Sequence, residues 1–150
     1  MTLRTTDEGF PLTPAQRCLL GLWSLALVGL FVIASRLTPD PQGFSTHEQL
    51  GLPPCTLRMW FGISCPTCGM TTSFAHVMHG EPVAALRANV AGCLLAMCGL
   101  IQIPWCWWSL YQGRLWKVRR PVEASLVVLG TAAGISLVCW TWKMVQPFWS

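Results

Sequence analysis

Three long apolar runs decide the medium in which this chain folds. The first, Cys18–Ser35 (CLLGLWSLALVGLFVIAS), carries no charge and is closed by Arg17 and Arg36. The second, Val90–Leu110, is also uncharged and places Gln102 and Pro104 ahead of Trp105, Trp107, Trp108 and Tyr111. The third, Val122–Trp142, lies between Arg119 and Arg120 on one side and Lys143 on the other. A helix needs about 20 predominantly apolar residues to cross the hydrocarbon core, and each run meets that length. Composition agrees: 53% of the residues are apolar, 11% are charged and nine are tryptophan. Pro104 would break a helix in water, whereas in a bundle neighbours can meet the freed carbonyl, so it predicts a kink. The expected fold is an all-α integral membrane protein with three transmembrane helices and a short amphipathic interfacial helix. At 150 residues the chain is too short for an anchor plus a sizeable soluble domain, so a single membrane unit is expected. The net charge of +4 forms no basic stripe, which argues against nucleic acid as a partner.

Orientation follows from the positive charges. The connector between the second and third runs packs Arg114, Lys117, Arg119 and Arg120 together, and the positive-inside tendency makes it cytoplasmic. With Arg4 and Arg17 this gives six Lys/Arg inside against four outside, namely Arg36, Arg58, Arg87 and Lys143. The expected order is a cytoplasmic leader (1–17), a first span (18–35), an exported loop (36–89), a second span (90–110), a basic connector (111–121), a third span (122–142) and an outer tail (143–150). Val32-Ile33-Ala34 before Ser35 also fits a cleavable signal peptide, although Asp7 and Glu8 in the leader and the length of the run argue against cleavage. The loop is exported in either case.

Any chemistry belongs to that loop. Its first part, LTPDPQGFSTHEQLGLPPC, is rich in proline, glycine and small polar residues and reads as coil. From CPTCGMTTSF onward a short helix is expected, with Cys65 as N-cap, Pro66 at the first helical position, Met70, Phe74, Val77 and Met78 at helical spacing, and Gly80 as the stop. A second helix starts near Pro82 and runs into the second span.

The cysteines admit three readings. Cys65 and Cys68 at a helix amino terminus would favour a thiolate and allow redox exchange, with Cys55 as resolving thiol, although no βαβ pattern accompanies the pair. Cys65, Cys68, His76 and His79 form the ligand set of a structural zinc site. Geometry counts against that set, because within one helix Cys68 and His76 would stand about 12 Å apart at ~1.5 Å per residue. The plainest reading is a structural disulfide from Cys55 to Cys65 or Cys68, closing a loop of about ten residues. The remaining cysteines, Cys18, Cys93, Cys98, Cys106 and Cys139, fall in or beside the apolar runs and read as packing residues.

The string CPTCGMTTSFAHVMHGEPVAALRANV resembles a family of small bacterial membrane proteins catalogued as domain of unknown function 2752. Its pattern is C-P-x-C-G-[LM]-T-[RT], followed by G-[DE] and later by N-P ahead of a transmembrane helix. The resemblance covers roughly residues 50–110 and implies a bacterial cytoplasmic-membrane location, but it carries no settled activity. Thr72 stands where an arginine is frequent and Val90 where a proline is frequent.

The expected role is that of a noncatalytic scaffold or accessory subunit with a cysteine-bearing exported loop. The alternative is a membrane-bound thiol redox or zinc-binding module using Cys65 and Cys68. No cofactor is expected in the first case and zinc is the candidate in the second. The lipid bilayer is the expected partner. Gly130 and Gly134 could pack within the chain, the favoured use, or mediate association with a second copy or another membrane protein. His47, His76 and His79 are candidate titrating groups, and the tryptophans near span ends are expected to anchor at the interface rather than form a ligand cage.

Overall fold

The computed structural model describes residues 11–115 and 121–145. Residues Arg4, Lys117, Arg119 and Arg120, on which part of the charge argument rests, and residues 146–150 of the tail lie outside it. Among the described residues the protein is helical, with no strand. Two helices, α1 (Pro14–Arg36) and α5 (Val90–Gln112), are long and apolar enough to cross a membrane. At ~1.5 Å per residue, their 23 residues each reach about 35 Å. The third, α6 (Pro121–Val145), is helical over the whole predicted run, and its apolar stretch among the described residues is Val127–Trp142.

Local chemistry sets the ends. Thr13 caps α1 by accepting from the backbone N–H of Gln16, whose side chain accepts in return from the Thr13 N–H, and Pro14 occupies the first turn. Pro104 lies within α5 without ending it. The helix expected from Pro82 does not run on: α4 (Pro82–Ala88) stops at extended Asn89, whose side chain accepts from the Gly92 N–H and starts α5.

The segment predicted as coil contains a 3-10 helix (Thr46–Leu50), and a short helix, α2 (Thr56–Phe61), follows it. The cysteine helix also differs from expectation. Cys65 is not its N-cap; residues 66–69 form a turn, and α3 (Met70–Met78) begins after Gly69. Gly69 has φ +81°, and a Cβ there would stand 2.5 Å from the Gly43 carbonyl oxygen and 2.7 Å from that of Ala88, so only glycine fits. Nor is α3 laid open along one side. It packs against α1, α4, α5 and the 3-10 helix, and the side chains it buries fully are Thr72, Ser73 and Ala75 rather than the apolar set Met70, Phe74, Val77 and Met78.

Burial elsewhere runs opposite to that of a water-soluble core. The largest fully enclosed side chains are Thr46, Thr72, Cys106, Ser24, Ser73 and Ser109, while Leu19, Leu22, Leu25, Ile101, Val127 and Val138 face outward. Small residues at helix contacts let backbones approach without a hydrophobic drive, as they do in lipid. Gly99 shows this directly, for a Cβ there would meet the Phe31 ring at 3.0 Å. Phe31 in turn stacks on Phe74 of α3 at 5.7 Å between centroids. The Trp107 indole N–H donates to the buried Ser24 hydroxyl and ties α5 to α1. Gly130 and Gly134 are exposed, and a Cβ at either would touch nothing, so the favoured in-chain packing role is not realised.

The helices define two ends. At one, the Leu12 N–H donates to the Gly113 carbonyl, joining the approach to α1 with the end of α5. At the other, Asn89 at the start of α5 and the C-terminal half of α6 meet the cysteine turn.

Candidate metal centre

The cysteine turn is held through its carbonyl oxygens. The Asn89 side-chain amide donates to the carbonyls of Pro66 (3.2 Å) and Cys68 (3.0 Å). The Ser136 hydroxyl donates to the same Pro66 oxygen, and the Trp140 indole N–H donates to the Ser64 carbonyl. Behind the turn, Ser73 donates to Ala85 and Asn89, and Thr46 donates to Thr72. A backbone with four carbonyl contacts to α5 and α6 offers its side chains from a fixed platform.

That platform presents three thiols. Cys65 Sγ lies 3.2 Å from Cys68 Sγ and 3.1 Å from the Thr67 hydroxyl. Cys55, at the start of α2, completes the group, and all three sulfurs lie within 4.8 Å of one another. A disulfide requires about 2.05 Å between sulfurs. All eight cysteines are free, so the expected bridge from Cys55 is not formed here. Three thiolates bound to zinc at ~2.3 Å with tetrahedral angles would stand about 3.8 Å apart, a spacing inside the 4.8 Å that holds the three sulfurs.

The thiols differ in acidity. The backbone N–H of Arg58 lowers the Cys55 thiol to about 7, with smaller help from Cys65 and Cys68. Burial, reinforced by the neighbouring Cys65, pushes Cys68 up to about 12. Cys68 of the C-x-x-C pair is thus raised rather than lowered, and the lowered thiol is Cys55, ahead of α2. Thr72, at the position where an arginine is frequent in the family it resembles, is buried against Thr46. The cation beside the thiols is Arg58, whose guanidinium lies 3.2 Å over the Phe44 ring.

The two histidines of the expected zinc set are turned elsewhere. His76 Nδ1 pairs with Glu81 at 2.7 Å, and His79 Nε2 meets the Leu37 carbonyl at 3.0 Å. Cys55, not an imidazole, is the third donor beside Cys65 and Cys68. Above the sulfurs is a cavity of about 230 Å³ whose wall includes His47, Glu48, Cys55, Arg58 and Cys68.

Residues 55–103 match the family described as Protein of unknown function (DUF2752). The match is to this segment, about a third of the chain. The DUF2752 segment begins on Cys55 itself and includes all three clustered sulfurs, α2 to α4 and the first part of α5. No curated protein and no solved structure matches the chain.

Proposed function

We propose that the chain is an integral membrane protein with three spans and a cytoplasmic amino terminus, and that Cys55, Cys65 and Cys68 bind one thiophilic divalent metal, zinc first, at its outer end. The single observation carrying the metal assignment is the convergence of three sulfurs within 4.8 Å. An odd number of thiols converging on one point suits a shared ion better than a disulfide, which would leave one behind. Bound zinc would fasten α2 to the turn ahead of α3, a structural contribution that matches an accessory rather than a catalytic role. The bacterial cytoplasmic membrane is the location we assign, on the charge distribution and the family resemblance.

The outward faces of α1 and α5 support the membrane assignment, and so does α2. Met59, Trp60 and Phe61 are 61%, 75% and 68% exposed, and we assign α2 rather than α3 as the element that meets the headgroup region, where aromatic side chains gather. A lipid-phase carbene reagent should modify residues 57–63. Labelling confined to the long helices overturns this assignment.

The experiment for the centre is metal analysis of protein purified from its own membrane without chelator. One zinc per chain is expected, lost on Cys55→Ser or Cys68→Ser. An impermeant maleimide applied to intact cells should reach the three thiols only after chelation. Metal-free protein with a Cys65–Cys68 disulfide would instead favour thiol exchange, the second reading, which the 3.2 Å separation of that pair supports. Such oxidation joins the two sulfurs, releases two protons and passes two electrons to an external disulfide or quinone-type oxidant.

A further inference from the structure

The three sulfurs leave one tetrahedral position unassigned. Resting on the metal reading above, we infer that His47 supplies the fourth ligand, making the centre a Cys3His site closed by the 3-10 helix. The cavity over the sulfurs is shared by Cys55 and Cys68 with residues 44–48, and two of these, His47 and Glu48, carry donor atoms suited to zinc. Neither lies within the 4.8 Å group, so a side-chain rotation must close the distance. The backbone beneath them is already fixed. Thr46 donates to Thr72 at 2.8 Å and accepts from the Asp40 N–H, holding the 3-10 helix to α3 and leaving the neighbouring side chain to choose its rotamer.

Charge selects between the two donors. Zinc with three thiolates carries one net negative charge. A neutral imidazole keeps it at one, which the Arg58 guanidinium in the same cavity wall balances. A carboxylate from Glu48 would raise the charge to two. Closed four-coordinate Cys3His is also a standard structural zinc set, whereas an open position characterises catalytic zinc.

Cobalt(II) titration of reduced full-length protein in lipid nanodiscs tests this. Wild type should bind one equivalent, with sulfur-to-cobalt charge-transfer absorption. His47→Gln should retain that absorption, shift the ligand-field bands as oxygen replaces nitrogen, and lose more than the roughly 10–100-fold in affinity typical of an outer-shell partner. Bound zinc should also protect His47 from diethyl pyrocarbonate while leaving the modification of His76 and His79 unchanged. If wild type takes up no cobalt, the metal reading itself fails and the inference with it. If wild type binds but His47→Gln matches it in affinity and spectrum, or if Glu48→Gln shows the loss instead, only the His47 assignment is overturned.

Discussion

The cysteine end and the long helices solve the same packing problem by different means. Both enclose small side chains, but around the cysteines nearly every enclosed group is also hydrogen-bonded across a long stretch of sequence: Thr46 to Thr72, Ser73 to Asn89, Asn89 to Pro66, and Ser136 to Pro66. Along α1 and α5 the helices satisfy their own backbones, and close approach at residues such as Gly99, with the Trp107-to-Ser24 hydrogen bond, joins them. Irregular backbone must find its partners from elsewhere, so its sequence is constrained position by position. A helix facing lipid needs only to be apolar on one side and small on the other.

The comparison breaks most visibly at Gly69. Gly69→Ala places a methyl group against two carbonyl oxygens at a positive φ, and we expect a loss of about 3 kcal/mol or more, read as a lower midpoint of thermal unfolding. Metal uptake should fall in parallel, because the turn carries Cys65 and Cys68. An unchanged midpoint would mean that the turn is far more pliable than its contacts imply.

Asn89→Ala comes next. It removes the cap of α5 and both amide contacts to the turn, and a cap of about 1 kcal/mol with hydrogen bonds of about 1 kcal/mol each gives a loss of about 2 to 3 kcal/mol. Maleimide labelling of Cys68 should quicken in the metal-free variant. Loss of stability without faster labelling would reduce Asn89 to a helix cap.

The same contrast explains what the sequence makes legible. The long helices are written in uninterrupted apolar runs, and α1 and α5 fall within a few residues of their predicted bounds. Composition also points to lipid. The cysteine end is written in pairings that local periodicity cannot display. Asn89, Ser136 and Trp140 meet residues 64–68 from more than 20 positions away. Trp140 looks from its neighbours like one more interfacial ring. Cys55, ten residues from Cys65, is expected beside the pair as a bridging or resolving thiol; the structure brings it there as a third free thiol at the start of α2, a helix no sequence pattern announces. His76 and His79 share the helix that follows the C-x-x-C pair, but their side chains are already occupied by Glu81 and Leu37.

A pH profile sharpens the difference among the thiols. In metal-free reduced protein, iodoacetamide should modify Cys55 at a rate that climbs through about pH 7 and levels above it, while Cys68 stays slow up to about pH 10. The sign for stability follows from Cys68. Its pKa is raised from 9.0 to about 12, so the folded state keeps a proton that the unfolded chain releases. The associated stability is present below pH 9 and declines as pH rises toward 12. Equal labelling profiles for the two cysteines would remove the distinction.

The smallest effect is expected on the outward apolar face of α5. Ile101 lies near the middle of α5 and is 67% exposed, so Ile101→Ala removes atoms that touch little of the protein. In water such a truncation on an outward face would lower surface hydrophobicity, and in a packed core it would cost about 2–5 kcal/mol. In a bilayer, acyl chains occupy the vacated space, and the change in unfolding midpoint should correspond to less than about 0.5 kcal/mol. Ile101→Asp at the same position is the discriminating partner, because a carboxylate near the centre of a span opposes membrane insertion by about 2.5 to 3.5 kcal/mol. Proteoliposome recovery should therefore fall for the aspartate variant alone. If both variants insert and melt like wild type, the face is not bathed in lipid, and the tolerance claimed for the spanning helices would have to come from exposure to water.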